Sequence, residues 1–171
     1  MKNKKIVLFM VIALSIITLA ACTKDTQNHN TASENIQETN TTKSATKIEG
    51  RRKEFIEKLD SIQKELDSLP DKKDSDAGVT NAMRNYYGKS YEMYDEVLNE
   101  IYALLKKELS PEVMKNLQTE QIKWIEHKED TANKEASKFK GGTFEFVAYY
   151  ISLYESTKSK CYELVNNYMT D

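Results

Sequence analysis

Cysteine, histidine, glycine and proline are all scarce in this chain, and each shortage excludes a class of protein. The 171 residues include two cysteines, two histidines, five glycines and two prolines. Two cysteines cannot build a disulfide framework. His127 is the only histidine after residue 46, and no nucleophile–base–orienter triad can be drawn around it. There is also no glycine-rich phosphate loop, no pair of cysteines at zinc spacing and no calcium-binding loop. We therefore predict a protein that is not an enzyme and that holds no cofactor.

A metal site is also not expected. Glu126, His127 and Asp130 could approach one ion across a helical turn. A run of charges on a helix is, however, typical of a solvated face. We therefore predict no metal.

The N-terminus has the pattern of an export signal that ends at a cysteine. Three lysines precede an apolar stretch from Ile6 to Ala20, which is shorter than the roughly 20 residues that span a hydrocarbon core. Leu19-Ala20-Ala21-Cys22 resembles the lipobox of bacterial lipoproteins, in which the cysteine is acylated and the chain is cut just before it. We predict a signal peptide at 1–21 and lipid attachment, with acyl chains such as palmitate, at Cys22. An ordinary cleaved signal with an unmodified Cys22 is the alternative.

The next segment, 22–46, is predicted to be a disordered tether. After Cys22 it is rich in Thr and Asn, has no aromatic residue and has only Ile36 as a large apolar side chain, so it cannot bury enough surface to fold. A flexible chain of about 24 residues has a root-mean-square reach of about 27 Å. The protein would then sit on the extracytoplasmic face of the cell membrane, held by its lipid.

Charge excludes nucleic acid as a partner. Removal of 1–21 takes away three lysines and no acidic residue, and changes the formal net charge from -2 to -5. A mildly acidic chain has no basic patch for a phosphate backbone.

Residues 47–171 are enough for one domain with a single core. Breaks at Pro70–Gly78, Ser110-Pro111 and Gly141-Gly142 divide them into four segments with apolar residues at helical spacing. The predicted helices cover Phe55–Leu69, about 79–109, 111 to about 139, and 143 to about 168. Cys161 lies on the apolar side of the last one, which predicts a buried thiol. The fold expected is all-α, an antiparallel bundle of about four helices, and monomeric.

A line of polar and aromatic residues crosses the apolar sides of these helices, and we call it the polar line. In the third helix, Gln121, Trp124 and Lys128 follow Leu117 on one face. The members are Asp95, Asn99, Tyr102, Gln121, Trp124, Lys128, Glu129, Thr157 and Lys160. One interpretation is a buried network, with Asp95 paired to Lys128 or Lys160 and Asn99 bonded to Gln121. The other is a recognition surface. We favour the network, because buried polar groups commonly fix register in bundles.

The same residues carry a family resemblance. The stretches YDEVLNEIYALLKKEL, LQTEQIKWIEHKED, GG and TKSKCYEL, within about 81–166, resemble the LprI-like lysozyme-inhibitor domain. Its members share D-x-x-L-N-x-x-Y, L-x-x-x-Q-x-x-W-x-x-x-R-D, a glycine pair and T-x-x-R-x-x-x-L. Lys128 and Glu129 stand here where Arg and Asp are usual, Lys160 replaces Arg, and the cysteines of many members are missing. The resemblance implies a small helical envelope domain with looser ties between helices, because Lys cannot make a bidentate fork.

The resemblance implies, as a first function, binding and inhibition of a lysozyme-type muramidase. The negative mature chain would complement a basic lysozyme, and an inhibitor must fill the cleft that holds the two catalytic carboxylates. The turn with Lys140, Gly141, Gly142 and Phe144 is the candidate interaction loop, although a plain helix joint is the simpler interpretation.

A second function is equally compatible with the sequence. A structural or assembly lipoprotein could bind another envelope protein through its helical surface, using the first helix, which lies outside the resemblance. A small-molecule binding lipoprotein is the least favoured class, because one bundle has no cleft between domains.

Overall fold

The structure is a computed structural model that describes residues 44–171. The predicted signal peptide, Cys22 and most of the predicted tether lie outside the described residues. Five helices make up the fold: α1 (Arg52–Asp67), α2 (Asp71–Asp76), α3 (Thr80–Glu108), α4 (Pro111–Ser137) and α5 (Glu145–Tyr168). Residues 44–171 contain no strand, only an isolated bridge between Ile48 and Met169. The all-α prediction is confirmed.

The four predicted helices correspond to α1, α3, α4 and α5, and α2 is an addition. This short helix lies inside the Pro70–Gly78 segment, whose composition predicts a break between helices. Pro70 enters it with φ of -55°, a value that the proline ring already imposes. Asp71 and Asp74 lie in its first turn, where negative charge is favourable. Gly78, at φ of +81°, then redirects the chain toward α3.

Ser110 marks a helix boundary, whereas Gly88 does not. Ser110 caps α4, because its hydroxyl accepts a hydrogen bond from the Val113 amide at 3.3 Å and Pro111 opens the first turn. Gly88 does not interrupt α3, which continues through it for 29 residues. The roughly 1 kcal/mol that a helical glycine costs is smaller than the gain from packing α3 on its neighbours.

The long helices alternate in direction. The Ile48 amide donates to the Tyr168 carbonyl and the Ser110 amide donates to the Ala45 carbonyl, both at 2.8 Å. These bonds gather four points of the chain at one end of the bundle, which we call the entry end: the start of the domain, the α3–α4 joint, the start of α1 and the end of α5. The α2 region and the α4–α5 turn lie at the other end, the far end. Therefore α1 and α4 run toward the far end, and α3 and α5 run back, parallel to each other.

The core lies where α5 meets the other long helices. Helix α5 packs most extensively on α3 and then on α4, and α1 covers the remaining side of α3 and α5. Tyr94, the largest fully buried side chain, is in the centre, and its hydroxyl donates to the Leu59 carbonyl at 3.3 Å. Other fully buried members are Phe55, Leu66, Ile101, Leu105, Leu117, Val147, Leu164 and Val165.

The apolar side of α1 is used inside the domain. Phe55, Leu59, Ile62 and Leu66 are all buried, as their spacing predicts. That side is therefore not free for a partner. Among the described helices, none has a stretch apolar and long enough to span a membrane.

Candidate functional site

The inner face of α4 carries the central part of the polar line. Leu117, Gln121 and Lys128 are buried and Trp124 is partly buried, so the helical spacing of the sequence places all four on the packed side. Lys128 is only 5% exposed, which is rare for a lysine without a carboxylate partner.

Two aromatic rings hold Lys128. Its Nζ lies 5.1 Å from the centre of the Tyr91 ring on α3 and 5.0 Å from the centre of the Trp124 ring. Nζ also donates to the Tyr91 hydroxyl at 3.4 Å. Burial lowers the pKa of Lys128, and the charges of Asp95 and Glu129 oppose that shift. The rings favour the charged form, because each presents its negative face to the cation.

Lys160 on α5 approaches the same tryptophan. Its Nζ lies 5.9 Å from the centre of the Trp124 ring and donates to Glu163 at 2.7 Å. Tyr91, Lys128, Trp124 and Lys160 therefore alternate aromatic and cationic groups between α3, α4 and α5. We call these four residues the lysine–aromatic stack.

The hydrogen-bonded pairs expected from the sequence are wrong. Within residues 44–171, Asp95 forms no ion pair with Lys128 or Lys160; its carboxylate instead accepts from the Asn99 amide at 3.3 Å on its own helix. Asn99 is exposed and does not reach Gln121. The reason is rotation along α3: Leu98 and Ile101 point into the core, and position 99 is turned about 100° away from Leu98.

Three other members of the polar line lie inside the bundle to different degrees. Thr157 is fully buried, Gln121 is 8% exposed and Tyr102 is half-buried. The Gln121 Oε1 and Thr157 Oγ1 atoms have no hydrogen-bond partner in the described protein. An unpaired buried polar atom costs about 1 to 3 kcal/mol, so these two atoms reduce the stability gained where α4 packs on α5.

Glu129 ties α4 to α5 by a different contact. Its carboxylate accepts a hydrogen bond from the Tyr149 hydroxyl at 3.0 Å. Burial raises the pKa of Tyr149 to about 12, and the bond to Glu129 acts in the same direction. The face of α4 that carries the polar line is thus turned inward, and little of that face can meet a partner.

The α4–α5 turn, in contrast, is open to solvent. Gly141 has φ of +79°, and its amide donates to the Glu145 carboxylate at 2.8 Å. A Cβ on Gly142 would come within 3.1 Å of the Phe139 carbonyl oxygen. The two glycines are therefore set by geometry: the first by its left-handed backbone and the second by close approach.

Aromatic rings flank the exposed cation of this turn. The Phe139 and Phe144 rings pack edge to face, with centres 4.8 Å apart. Phe139 remains 43% exposed, and Lys140 at the apex is exposed and forms no ion pair with a described residue. Lys138, two residues earlier, is instead paired with Glu135 at 2.6 Å. The turn therefore offers one unpaired positive charge beside an apolar ring.

The residues with reactive or metal-binding side chains are placed as follows. Cys161 is buried, as predicted; its thiol donates to the Tyr94 carbonyl at 3.4 Å, and burial raises its pKa to about 12. Such a thiol is unreactive near neutral pH. Glu126, His127 and Asp130 are exposed. No group of three His, Cys, Asp or Glu side chains in the described part of the chain could hold a metal ion.

Sequence reasoning missed a second aromatic cluster, on the α1 side. The Tyr154 ring lies 5.7 Å from Tyr94 and 6.0 Å from Tyr87. Lys158 lies over both Tyr94 and Tyr154, and donates to the Gln63 side chain at 2.7 Å. Lys158 follows Tyr154 by four residues on α5, a spacing that the sequence shows. The sequence does not show that Tyr94 of α3 and Gln63 of α1 lie opposite this pair.

Comparison with known proteins gives one match. A family model described as Lysozyme inhibitor LprI matches residues 70–164, more than half of the chain. The match begins at the start of α2, includes the whole polar line and the α4–α5 turn, and leaves α1 outside. No curated protein matches the chain, and no solved structure matches it.

Proposed function

The chain belongs to the LprI lysozyme inhibitor family, and on that premise we propose that it is a lipid-anchored extracytoplasmic protein whose helical domain binds and inhibits a lysozyme-type muramidase. The family match over residues 70–164 is the observation that carries the proposal. An inhibitor needs a surface that enters the cleft between the two catalytic carboxylates.

The α4–α5 turn is the surface that suits such a cleft best. It is convex and exposed, and its backbone is set by two glycines. Lys140 presents an unpaired ammonium group that can pair with carboxylates, and the Phe139 ring beside it can cover the apolar wall of a sugar-binding cleft. The polar line is less suitable, because most of it is packed inside the bundle.

The direction of the bundle supports this choice. The described chain starts at the entry end, where a lipid at Cys22 would connect through the tether. The turn lies at the far end of α4, whose 27 residues span about 40 Å at 1.5 Å per residue. A flexible tether that joins the domain at the entry end would therefore leave the turn free for a muramidase to reach.

Charge supports encounter with a basic enzyme. The mature chain would have a formal net charge of -5, and opposite charge speeds association at low ionic strength. Affinity would come from the turn and the packed contacts around it, because rim charges mainly change the rate of association.

The test is inhibition by the purified full chain, measured against several lysozymes as the rate of cell-wall lysis. We expect Lys140→Glu to weaken inhibition at least about tenfold, because it sets a like charge against the catalytic carboxylates. Lys123→Glu, on the exposed face of α4, changes net charge equally and should leave inhibition nearly unaltered.

The possible outcomes test the inhibitory function and the contact site at the α4–α5 turn separately. If the parent protein inhibits no lysozyme, the function is wrong, and a pull-down from envelope extract then tests the alternative of an envelope assembly partner. If the parent inhibits and Lys140→Glu inhibits equally well, the function stands and the turn is not the contact.

A further inference from the structure

A groove lies between the first halves of the parallel helices α3 and α5, on the part of the bundle nearer the far end. Its volume is about 490 Å³, within the range of small-molecule sites. Its walls include Arg84, Gly88, Lys89, Glu92, Phe146 and Tyr150. None of these residues belongs to the polar line or to the inhibitory turn.

Gly88 opens the groove at a cost to the helix. It lies well inside α3, where glycine is less favourable than alanine by about 1 kcal/mol. Its backbone is not left-handed, and the nearest atoms to an added Cβ would be those of the Tyr150 ring, 4.0 Å away. The fold therefore has room for alanine here. What glycine provides is open space above the Tyr150 ring.

Aromatic rings form the apolar wall. Phe146 is 60% exposed, more than any other large apolar side chain of the described residues. Tyr150 is half-buried, and its ring packs edge to face on Tyr149 with centres 5.7 Å apart. Such a wall suits the flat C–H face of a ring-shaped ligand.

One of the two cationic side chains in the groove has no ion-pair partner among the described residues. Lys89 is paired with Glu92 at 3.5 Å. Arg84 forms no ion pair and no side-chain hydrogen bond with the described residues. A guanidinium group matches a carboxylate with two parallel hydrogen bonds. The groove therefore combines a carboxylate-binding group with a wall for a small ring.

We propose that this groove binds a carboxylated amino sugar, with the sugar ring against Phe146 and Tyr150 and the carboxylate on Arg84. The choice of sugar rests on the proposed function, because the glycan that a muramidase cleaves contains such a sugar, with a free carboxylate wherever the sugar carries no peptide. An acidic peptide is less suitable, since a groove this short holds one or two rings but not an extended chain. Binding there would keep the domain on the glycan beside the enzyme it inhibits.

The test compares two sugars that share a ring and differ in a lactyl ether group, which carries the carboxylate. N-acetylmuramic acid and N-acetylglucosamine are titrated into the purified full chain in detergent micelles, with backbone NMR shifts near Gly88 and Tyr150 as the readout. We expect the carboxylated sugar to bind at least about tenfold more tightly, the ratio expected from about 1.4 kcal/mol of charge-assisted hydrogen bonding.

Two variants locate the binding. Arg84→Gln should abolish the difference between the sugars, whereas Arg51→Gln, the same change at the entry end, should preserve it. Gly88→Leu should fill the groove and remove binding of both sugars, with circular dichroism confirming that the helices remain. Four outcomes would each overturn the proposal. They are equal affinity for the two sugars, no saturable binding of either, binding of an acidic peptide in their place, and loss of the difference between the sugars in Arg51→Gln as in Arg84→Gln. Because NMR involves no lysozyme, failure here is distinguishable from failure of inhibition.

Discussion

Lys128 shows how a single residue can be held by opposing forces. Burial disfavours its charge and lowers its pKa, whereas Asp95 and Glu129 act the other way. The two flanking rings each contribute on the order of 2 kcal/mol when the cation is desolvated. The stack therefore uses two aromatic rings, and no ion pair, as the partners of the buried ammonium group of Lys128.

The pH dependence of stability should reveal this lysine. A lowered pKa means that the unfolded chain binds more protons than the folded one below 10.5, the ordinary value, so this residue makes stability rise with pH in that window. Lys128→Met keeps the apolar stem and removes the charge. We expect the difference in unfolding free energy between parent and variant to move in favour of the parent as pH rises from 7 toward 10. A constant difference would contradict the assignment.

Trp124 is the residue on which the interpretation of the polar line depends. Its ring contacts two buried cations, so Trp124→Ala removes packing and leaves both lysines without it. We expect a loss of about 3 kcal/mol, the lower end for such a truncation because the ring is only partly buried. Ile122→Ala on the same helix, where the side chain is 47% exposed, should change stability by no more than about 0.5 kcal/mol. Thermal melts of both check this; an unchanged melt for Trp124→Ala would instead favour a recognition surface.

Residue-scale predictions from sequence succeed along a helix and fail across helices. The inward position of Gln121 and Lys128 follows from their spacing from Leu117. The partner of Lys128 does not, because it depends on which residue of α3 lies opposite. Asn99 illustrates the failure: it is one step out of phase with the buried side of α3 and lies in solvent, so Asn99→Ala should leave stability nearly unchanged.

At the scale of helices and turns, glycine has two opposite roles. Gly88 has ordinary helical backbone and space for a methyl group, whereas Gly141 has φ of +79°. Gly88→Ala should therefore stabilise the domain by about 0.5 to 1 kcal/mol. Gly141→Ala should destabilise it by about 1 to 2 kcal/mol, because a side chain strains the left-handed backbone. Denaturant unfolding of this matched pair measures both, and a common sign would contradict the distinction.

The helices that sequence predicts best are those whose apolar side is long and periodic. The four long helices meet that condition, and their predicted ranges agree with the structure to within a few residues. The α2 helix does not, because six polar residues give no apolar period. It forms through its proline start, its acidic first turn and its packing on α3, and only the first two are visible in sequence.

At the scale of the whole molecule, tyrosine has an uneven distribution. All ten tyrosines lie on α3 and α5, the two parallel helices at the centre. Burial is the largest cause of a raised pKa in nine of them. The sequence shows the tyrosines but not that α3 and α5 are adjacent, which depends on the packing of all four long helices.

This concentration predicts alkaline unfolding. A tyrosine with a raised pKa keeps its proton in the folded state above pH 10, where the unfolded chain loses it, so stability falls as pH rises from 10 toward 12. For Tyr149 and Tyr162 the pKa is about 12. We expect tyrosinate absorbance at alkaline pH to appear together with the loss of helical circular dichroism. Ionisation of most tyrosines with the helices intact would contradict a central, water-excluded position.

The anchor is the last prediction, and it concerns where a membrane attachment would join the whole molecule. Bonds from Ser110 to Ala45 and from Ile48 to Tyr168 fix the start of the domain to the entry end, so a lipid at Cys22 would hold the bundle by that end alone. Cys22→Ser should abolish incorporation of labelled palmitate and either release the protein from the membrane fraction or leave an uncut precursor, because the acyl chains supply the membrane affinity. Cys161→Ala, at the buried thiol, should retain both label and membrane association. A normally cut Cys22→Ser protein that remains on the membrane would show that something other than this cysteine holds it there.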